Sequence, residues 1–181
     1  MGKAIGVIEF NSIGKGIESL DAMLKCADVS VIDSRMVCVG KYFVVITGEV
    51  AAVSDSLKAG EEVAGVHVLG AKVIPSVAEG VLEKINVKLV KDNIQALGIL
   101  ESKDLAYGLY GANAIKKSSS VDLLKVSMQL GLGGKCIVLF TGDVASVQNA
   151  LEVAKEKIAD PSKIVSAVTI PSPADQLVES L

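Results

Sequence analysis

One segment of this sequence is written twice, and the duplication constrains the fold more than any other feature. Residues 4–9 (AIGVIE) return almost unchanged as residues 96–101 (ALGILE), and residues 47–50 (TGEV) return as residues 141–144 (TGDV). The matched segments keep their order and nearly keep their spacing, with small insertions in the second half. Such regularity over the whole chain indicates a tandem duplication of one structural unit. The sequence therefore predicts two similar domains.

The two predicted domains have the same order of secondary structure. In each copy, apolar runs rich in β-branched residues alternate with segments whose apolar residues recur at helical spacing. In the first copy, strands are predicted at residues 4–10, 29–37, 42–47 and 66–74, and helices at 13–26 and from 48 onward. This order predicts an α/β (α+β) domain in which helices pack on one mixed four-stranded sheet. We place the domains at residues 3–86 and 94–181, with a linker at 87–93.

The composition excludes several classes of function. The chain has 181 residues, a net charge of −3 and only 3% aromatic residues, which argues against the basic and aromatic surfaces that bind nucleic acids. The sequence contains no run of about 18 apolar residues, so no membrane-spanning helix is predicted. The first residues do not resemble a secretory signal. The three cysteines have no close spacing and predict no disulfide framework, so we expect a reducing, cytoplasmic location.

The motifs predict neither nucleotide binding nor catalysis. The two Gly-Lys turns fail the P-loop pattern, because Arg35 and Gln129 stand where that pattern requires its first glycine. The single histidine, His67, lies in a predicted strand, where a structural role is the expected one. Glu9 and Glu101 are equivalent positions of the two copies and need not form an acid–base pair. The chain carries no recognisable enzyme signature, and we expect no enzymatic activity.

Lys25 and Lys117 are equivalent lysines in the first helix of each copy. In the first copy, Asp21 stands four residues before Lys25, at the spacing of a solvated helical ion pair. In the second copy the corresponding residue is Asn113, so the lysine recurs although its carboxylate does not. The recurrence leaves two interpretations open, a surface ion pair or a contact outside the subunit.

Cys38 is the remaining candidate for chemistry, in a predicted turn that also contains Val39, Gly40 and Lys41. A free cysteine is commonly a small buried hydrophobic residue, whereas a cysteine in an exposed turn beside a lysine is biased toward the thiolate. One thiolate cannot hold a metal site alone, but three would converge if three subunits met on one axis. The equivalent position in the second copy is Leu132, so a trimer would gather three thiols and not six.

These motifs together resemble the bacterial microcompartment (BMC) shell domain. The resemblance rests on the opening AIGVIE strand, the DAMLKCA segment of the first helix, the Gly-Lys turn, the TGEV or TGDV start of the second helix and the Ile-Pro after the last strand. It covers residues 3–83 and 94–178, in ordinary and not permuted order. A cysteine just before the first Gly-Lys turn is typical of a tandem-domain, trimeric subgroup of the family.

The resemblance implies a pore site with an iron–sulfur cluster. In this interpretation Val37, Val39 and Gly40 form a pore loop on the three-fold axis of a homotrimer. Three Cys38 thiolates, one from each subunit, would hold one 4Fe–4S cluster per trimer in the pore. Such a cluster would transfer electrons across the shell, or the cluster itself would be transferred across it.

The resemblance also implies a place and partners for the chain. The six domains of the trimer would form a pseudohexameric tile in the microcompartment shell, beside other shell proteins. Lys25 and Lys117 would lie at the edges where tiles meet, and a lumenal redox enzyme is left open as a further partner. The expected function is therefore structural, with electron or cluster transfer at the pore.

Two departures from the family pattern leave alternatives open. The last strands are followed by residues 75–78 (PSVA) and 171–174 (PSPA), without the arginine that often supports contacts between tiles. Val39 stands where a proline is usual beside the cysteine. One alternative is a shell tile without a cluster, whose pore passes a small metabolite. Another is a soluble α/β enzyme or ligand sensor that is unrelated to shells.

Overall fold

The two copies of the sequence form the same elements in the same order, and the second copy adds a short helix at its end. The computed structural model describes residues 4–37, 40–89, 94–118, 120–128 and 133–181. The first copy contains β1 (Ala4–Phe10), α1 (Ile13–Cys26), β2 (Val29–Val37), β3 (Lys41–Gly48), α2 (Val50–Ala64) and β4 (Val68–Ile74). The second copy contains β5 (Ala96–Ser102), α3 (Leu105–Ser118), β6 (Asp122–Ser127), β7 (Cys136–Gly142), α4 (Val144–Ile158), β8 (Ile164–Pro171) and α5 (Asp175–Ser180).

Each copy forms a four-stranded sheet, ordered β2-β3-β1-β4 in the first copy and β6-β7-β5-β8 in the second. The predicted α+β class is confirmed, but the predicted mixed sheet is wrong, because every neighbouring pair of these strands is antiparallel. The helical crossover returns the chain in its original direction, so β1 and β2 run the same way. The hairpin strand β3 lies between them, and the two strands of like direction are therefore not hydrogen-bonded neighbours.

The central position of β1 explains its almost continuous apolar run. The strand is buried along its whole length. It has a strand on either side, and Ala4, Ile8 and Phe10, which share one face of the sheet, pack into the core of the first copy. Gly6 permits close packing there, since a Cβ at this position would lie 2.8 Å from Val53 Cγ1 of α2. Ser12 precedes α1 and its hydroxyl accepts a hydrogen bond from Lys15 N at 3.4 Å, so the helix begins at the predicted place.

The cores are aliphatic, as the low aromatic content predicts. All three phenylalanines of the chain, Phe10, Phe43 and Phe140, are fully buried. The helices α2 and α4 each bury one apolar stripe, which includes Val53 and Leu57 in α2 and the equivalent Val147 and Leu151 in α4. We expect these stripes to supply most of the stabilisation of the two helices, because isolated helices of this length are marginal in water.

The chain divides into two compact units that exchange short segments. The first unit falls within Met1–Val77, Asp104–Tyr107 and Gln129–Gly134, so it includes the first turn of α3. The second unit falls within Ala78–Lys103, Gly108–Met128 and Lys135–Leu181, so it includes the segment that follows β4. The predicted linker, 87–93, is described only as far as residue 89. The domain limits 3–86 and 94–181 stay predictions.

Candidate functional site

The predicted pore loop connects β2 to β3. Val37 ends β2, is buried, and is paired with Lys41 at the start of β3. Gly40 is exposed and has a φ of 78°, a backbone conformation that glycine adopts without strain. Cys38 and Val39 lie outside the described residues. The structure therefore describes the two ends of the loop, and the roles of Cys38, Val37, Val39 and Gly40 stay predictions.

An ion pair stands at the β3 end of this loop, within the first unit. Lys41 Nζ lies 3.2 Å from Glu9 Oε1, and the Glu9 side chain is completely buried. Its other oxygen, Oε2, accepts a hydrogen bond from the backbone N–H of Leu105 at 2.7 Å. Burial raises the pKa of Glu9 above its ordinary value of 4.5, and the bonds from Leu105 and Lys41 oppose this effect. The ammonium group expected to activate Cys38 is thus engaged by a carboxylate.

The equivalent ion pair of the second unit is more exposed. Lys135 Nζ lies 2.7 Å from Glu101 Oε1, and Ser166 Oγ donates to Glu101 Oε2 at 3.1 Å. The hydrogen bond from Lys135 is the main reason that the pKa of Glu101 is lowered. Gly70 occupies the position of Ser166 in the first copy, and a Cβ there would lie 2.7 Å from Asp104 Oδ1. The side chain of Asp104, the residue just before α3, therefore takes the space that the serine side chain fills in the second copy.

The two lysines of the predicted tile edges are both on the surface. Lys25 lies in the last turn of α1, its side chain is 74% exposed, and its Nζ is 2.6 Å from Asp21 Oδ2. Lys117 lies in the last turn of α3 and is also exposed. The ion pair of Lys25 with Asp21 is formed as the spacing predicts. The contact of either lysine with another tile stays a prediction.

His67 is not in a strand, contrary to the prediction. It ends a short 3-10 helix, Gly65–His67, that follows α2, because Gly65 adopts a φ of 54° and turns the chain before β4 begins. Its Nδ1 lies 2.8 Å from Asn11 Oδ1, so the imidazole has a hydrogen-bonding partner at the surface. The imidazole of His67 therefore contacts the loop that follows β1.

The other two cysteines differ from each other in exposure. Cys26 is exposed at the end of α1, whereas Cys136 is buried. Gly108 of α3 packs directly against Cys136, and an added Cβ there would overlap the cysteine side chain. In the part of the chain that the structure describes, no three His, Cys, Asp or Glu side chains are grouped to hold a metal ion.

Equivalent apolar residues differ in exposure between the two copies, which the sequence analysis did not predict. Ile17 of α1 is 53% exposed, whereas Leu109 at the equivalent position of α3 is fully buried. Met36 at the end of β2 is 63% exposed, whereas its equivalent Met128 is 1% exposed. Two further exposed residues, Val31 and Ile32, also have buried equivalents, Leu123 and Leu124. An alignment of the two copies could not reveal this difference, because both copies are apolar at these positions.

None of the described helices combines the length and the apolar composition that crossing a lipid bilayer requires.

The known proteins that this chain resembles are microcompartment proteins. The BMC domain family matches residues 4–77 and again residues 96–173. The chain is 37% identical over 177 residues to the bacterial microcompartment shell protein PduT of Citrobacter freundii, covering 98% of this chain and 96% of that protein. It is also 27% identical to the carboxysome assembly protein CcmO of Synechococcus elongatus, covering 98% of this chain and 68% of that protein.

Solved structures give the same result. A microcompartment protein from Desulfitobacterium hafniense DCB superposes with a TM-score of 0.79, at 40% identity and with 99% of each chain covered. A fused permuted hexameric shell protein of the RMM microcompartment shares the fold with a TM-score of 0.64, at 22% identity, covering 87% of this chain and 81% of that one. The chain therefore belongs to the BMC domain family and is a tandem-domain structural protein of the bacterial microcompartment shell.

Proposed function

We propose that this shell protein forms a pseudohexameric homotrimer that carries a 4Fe–4S cluster at its central pore. The observation that carries the proposal is the difference between two equivalent hairpin turns. The turn between β2 and β3 contains Cys38, whereas Leu132 stands at the equivalent position of the second copy. A ring of three chains would therefore bring together three thiols, which fits a cluster with one iron that has no cysteine ligand.

The residues that flank the loop fit such a role. The pairing of Val37 with Lys41 fixes both ends of the turn, and the burial of Val37 anchors the β2 end in the core. A cluster needs several thiolate ligands, and one loop supplies a single cysteine. Cys38 would hold the cluster together with its counterparts from two further chains. A bound cluster would supply one-electron transfer between the two faces of the shell.

The ion pair with Glu9 engages the side chain of Lys41, which follows Cys38 in the sequence of the same turn. Because the lysine is held by the carboxylate at 3.2 Å, its positive charge is partly neutralised. The pair would keep the Lys41 side chain in one position at the base of the loop. Its proposed role is to position the loop, and Cys38 is the only residue of this chain proposed as an iron ligand.

The test is the loss of iron on removal of one thiol. Protein purified or reconstituted without oxygen is expected to contain about one cluster per three chains, as iron and acid-labile sulfide. The Cys38→Ser variant is expected to lose both, together with the visible absorption. The matched control is Cys26→Ser, because Cys26 is an exposed thiol in the same copy and should leave the iron content unchanged. Full iron content in Cys38→Ser would refute the assignment.

A shell tile whose pore passes a small metabolite is the second candidate. It is favoured by the open space beside the loop, since an added Cβ at Gly40 would have no neighbour within 4 Å. The same iron and sulfide analysis separates the two candidates, because a plain pore predicts neither element. In both candidates the tile packs against other shell proteins, with Lys25 and Lys117 at its edges. A lumenal redox enzyme as electron partner belongs to the first candidate only.

A further inference from the structure

The side chain of Lys41 joins the two Gly-Lys turns of the chain. Lys41 begins β3 directly after the first turn, and its Nζ is 3.2 Å from Glu9 Oε1. The end of the same side chain lies against Gly134 of the second turn, because a Cβ added at Gly134 would be 2.7 Å from Lys41 Cε and would overlap Nζ. Glu9, Lys41 and Gly134 all belong to the first unit. One ammonium group therefore contacts both a buried carboxylate and the backbone of the other turn.

The carboxylate of Glu9 holds two groups at once. Oε1 is paired with the ammonium of Lys41, and Oε2 accepts a hydrogen bond from Leu105 N at 2.7 Å. The Glu9 side chain is completely buried, and only 20% of the Lys41 side chain is exposed. Water therefore has little access to the ion pair, and the position of the lysine depends on the charge of the carboxylate.

The contact of a lysine with a glycine is specific to one side of the duplication. Gly134 has a φ of 82° and no side chain, so the end of Lys41 fits against its backbone. At the equivalent Gly40, an added Cβ would have no neighbour within 4 Å among the described residues. The equivalent lysine, Lys135, is paired with Glu101 but is 45% exposed. The first copy thus connects the two turns through Lys41.

The charged groups that face Glu9 come from β3 and from the start of α3. Ile8 and Phe10 pack into the core beneath the helices, so Glu9 points to the opposite face of the sheet. On that face, among the described residues, β3 supplies Lys41 and the position just before α3 supplies Asp104. Asp104 is a second buried carboxylate, 2% exposed. One positive and one negative side chain therefore act on Glu9.

The neighbours on β4 leave this balance unchanged. Gly70, the β4 partner of Glu9, has no side chain, and Lys72 Nζ lies over the ring of Tyr107, 4.4 Å from its centroid. Burial is the main cause that raises the pKa of Glu9 above 4.5, and the negative charge of Asp104 adds to it. Glu9 therefore takes up a proton at a higher pH than an exposed glutamate does.

We propose that Glu9 and Lys41 form a latch between the two turns that opens when Glu9 takes up a proton from solvent. While Glu9 is ionised, it holds the ammonium of Lys41 against Gly134, and the two turns are tied together. The proton is added at Oε1, the oxygen that faces the lysine. The ammonium then has no counter-charge in a largely buried position, so it moves to water. The first turn is thereby released from the second.

This inference deepens the proposed function, because it rests on the role given there to the first turn, which contains Cys38. In a ring of three chains, the latch would occur three times around the pore. Acid would loosen each first turn, so the thiol of Cys38 would become more accessible. The contact of Lys41 with Gly134 does not itself require a cluster, and it can be tested in protein without iron.

The first test follows both turns during a pH titration of the iron-free full-length protein. With isotope-labelled glycine, the amide signals of Gly40 and Gly134 should shift together, with one shared midpoint above pH 4.5. The shared step should be absent from both signals in Glu9→Gln. The matched control is Glu101→Gln, because the lowered pKa of Glu101 places its own titration below 4.5. Separate midpoints, or a shared step that survives in Glu9→Gln, would refute the latch.

A second variant removes the ammonium and keeps the carboxylate. Lys41→Met retains an unbranched side chain against Gly134, so it preserves much of the packing. The carboxyl carbon signal of Glu9 should still titrate in this variant, whereas the amide signal of Gly134 should no longer follow it. Circular dichroism checks that each variant is folded. If Gly134 still follows Glu9 without the ammonium, the two are coupled by another route and the latch is wrong.

The release of the first turn is measured by the reactivity of Cys38 at neutral pH. In a Cys26→Ser background the remaining other cysteine, Cys136, is buried, so a disulfide reagent such as dithiodipyridine reports on Cys38. Glu9→Gln and Lys41→Met both open the latch and should speed the reaction about tenfold, the factor that one hydrogen bond to a charged group represents. Glu101→Gln should leave the rate unchanged. Equal rates in all variants would refute the release.

The outcomes for the latch and for the cluster are separate. Iron-free preparations that show the shared glycine step and the faster thiol reaction would support the latch, whatever the iron content of protein prepared without oxygen. Protein that binds no iron under those conditions would refute the cluster alone. Protein with its full iron content whose two turns titrate independently would refute the latch alone.

Discussion

The two copies have one backbone plan but two different environments. Both sheets have the same strand order, and both hairpins contain a register shift at the same place, between Val31 and Asp33 in one and between Leu123 and Lys125 in the other. Nevertheless the β2 edge is exposed and the β6 edge is covered. The comparison teaches that equivalent positions of one fold can be buried or exposed, according to what packs against them.

The equivalent ion pairs of the two copies also differ, in the pKa values of their carboxyl groups. Glu9 and Glu101 occupy equivalent positions, and each is paired with the lysine after a Gly turn. Their pKa values nevertheless shift in opposite directions, because burial dominates at Glu9 and the hydrogen bond from Lys135 dominates at Glu101. Equivalent residues therefore differ in chemistry through what lies against them.

The largest expected difference between the copies concerns the apolar face. Leu109→Ala should destabilise the fold by about 2–5 kcal/mol, because it leaves a cavity in a fully buried region. Ile17→Ala at the equivalent position should change the stability of the single chain by less than about 0.5 kcal/mol. Denaturant unfolding at several chain concentrations measures both, since the part that depends on concentration belongs to association. Equal concentration-independent losses would contradict the comparison.

A smaller difference is expected between the glycines of the two turns. Gly40 and Gly134 both have positive φ values, 78° and 82°. Gly40→Ala should cost about 1–2 kcal/mol for backbone strain alone, because nothing lies near the added methyl group. Gly134→Ala should cost about 1 kcal/mol more, because its methyl group would overlap Lys41 Nζ and disturb the bond to Glu9.

A double variant isolates that extra cost. In a Lys41→Ala background the methyl group added at position 134 has no ammonium group to displace. Gly40→Ala and Gly134→Ala should then lower the free energy of unfolding by equal amounts. Chemical denaturation of the four variants gives the coupling free energy between positions 41 and 134. If the difference between the turns persists without Lys41, its cause lies in the backbone and not in the ion pair.

The smallest expected effect is in the pH dependence of stability. The raised pKa of Glu9 means that its contribution to stability is present below about pH 4.5 and is lost as the pH rises through the folded-state value. The lowered pKa of Glu101 means that its contribution is present above about pH 4.5 and is lost as the pH falls. Relative to wild type, Glu9→Gln and Glu101→Gln should therefore change the slope of unfolding free energy against pH in opposite directions. If both substitutions change the slope in the same direction, these assignments are contradicted.

Much of the fold could be predicted from the sequence, for reasons that lie in particular residues. The duplicated strand at residues 4–9 indicated two equal domains, and helical spacing located α1 within a residue. The mixed sheet was wrong because periodicity reveals strands but does not say which strands are neighbours. The sequence analysis placed His67 in a strand because it lies in an apolar run. The turn at Gly65 interrupts that run and delays the start of β4. The role of Cys38 stays a prediction, since a cluster would need residues of several chains.

The sequence by itself determined the duplication, the order of elements, the family resemblance and the presence of a thiol in only one of the two turns. These are properties of residues along one chain, and a comparison of the copies is enough to find them. Only the tertiary structure decided that Glu9 is buried and Glu101 is not, and that Met128 is covered while Met36 is exposed. The physical reason is that burial depends on what packs against a residue, and the two copies carry nearly the same residues in different surroundings.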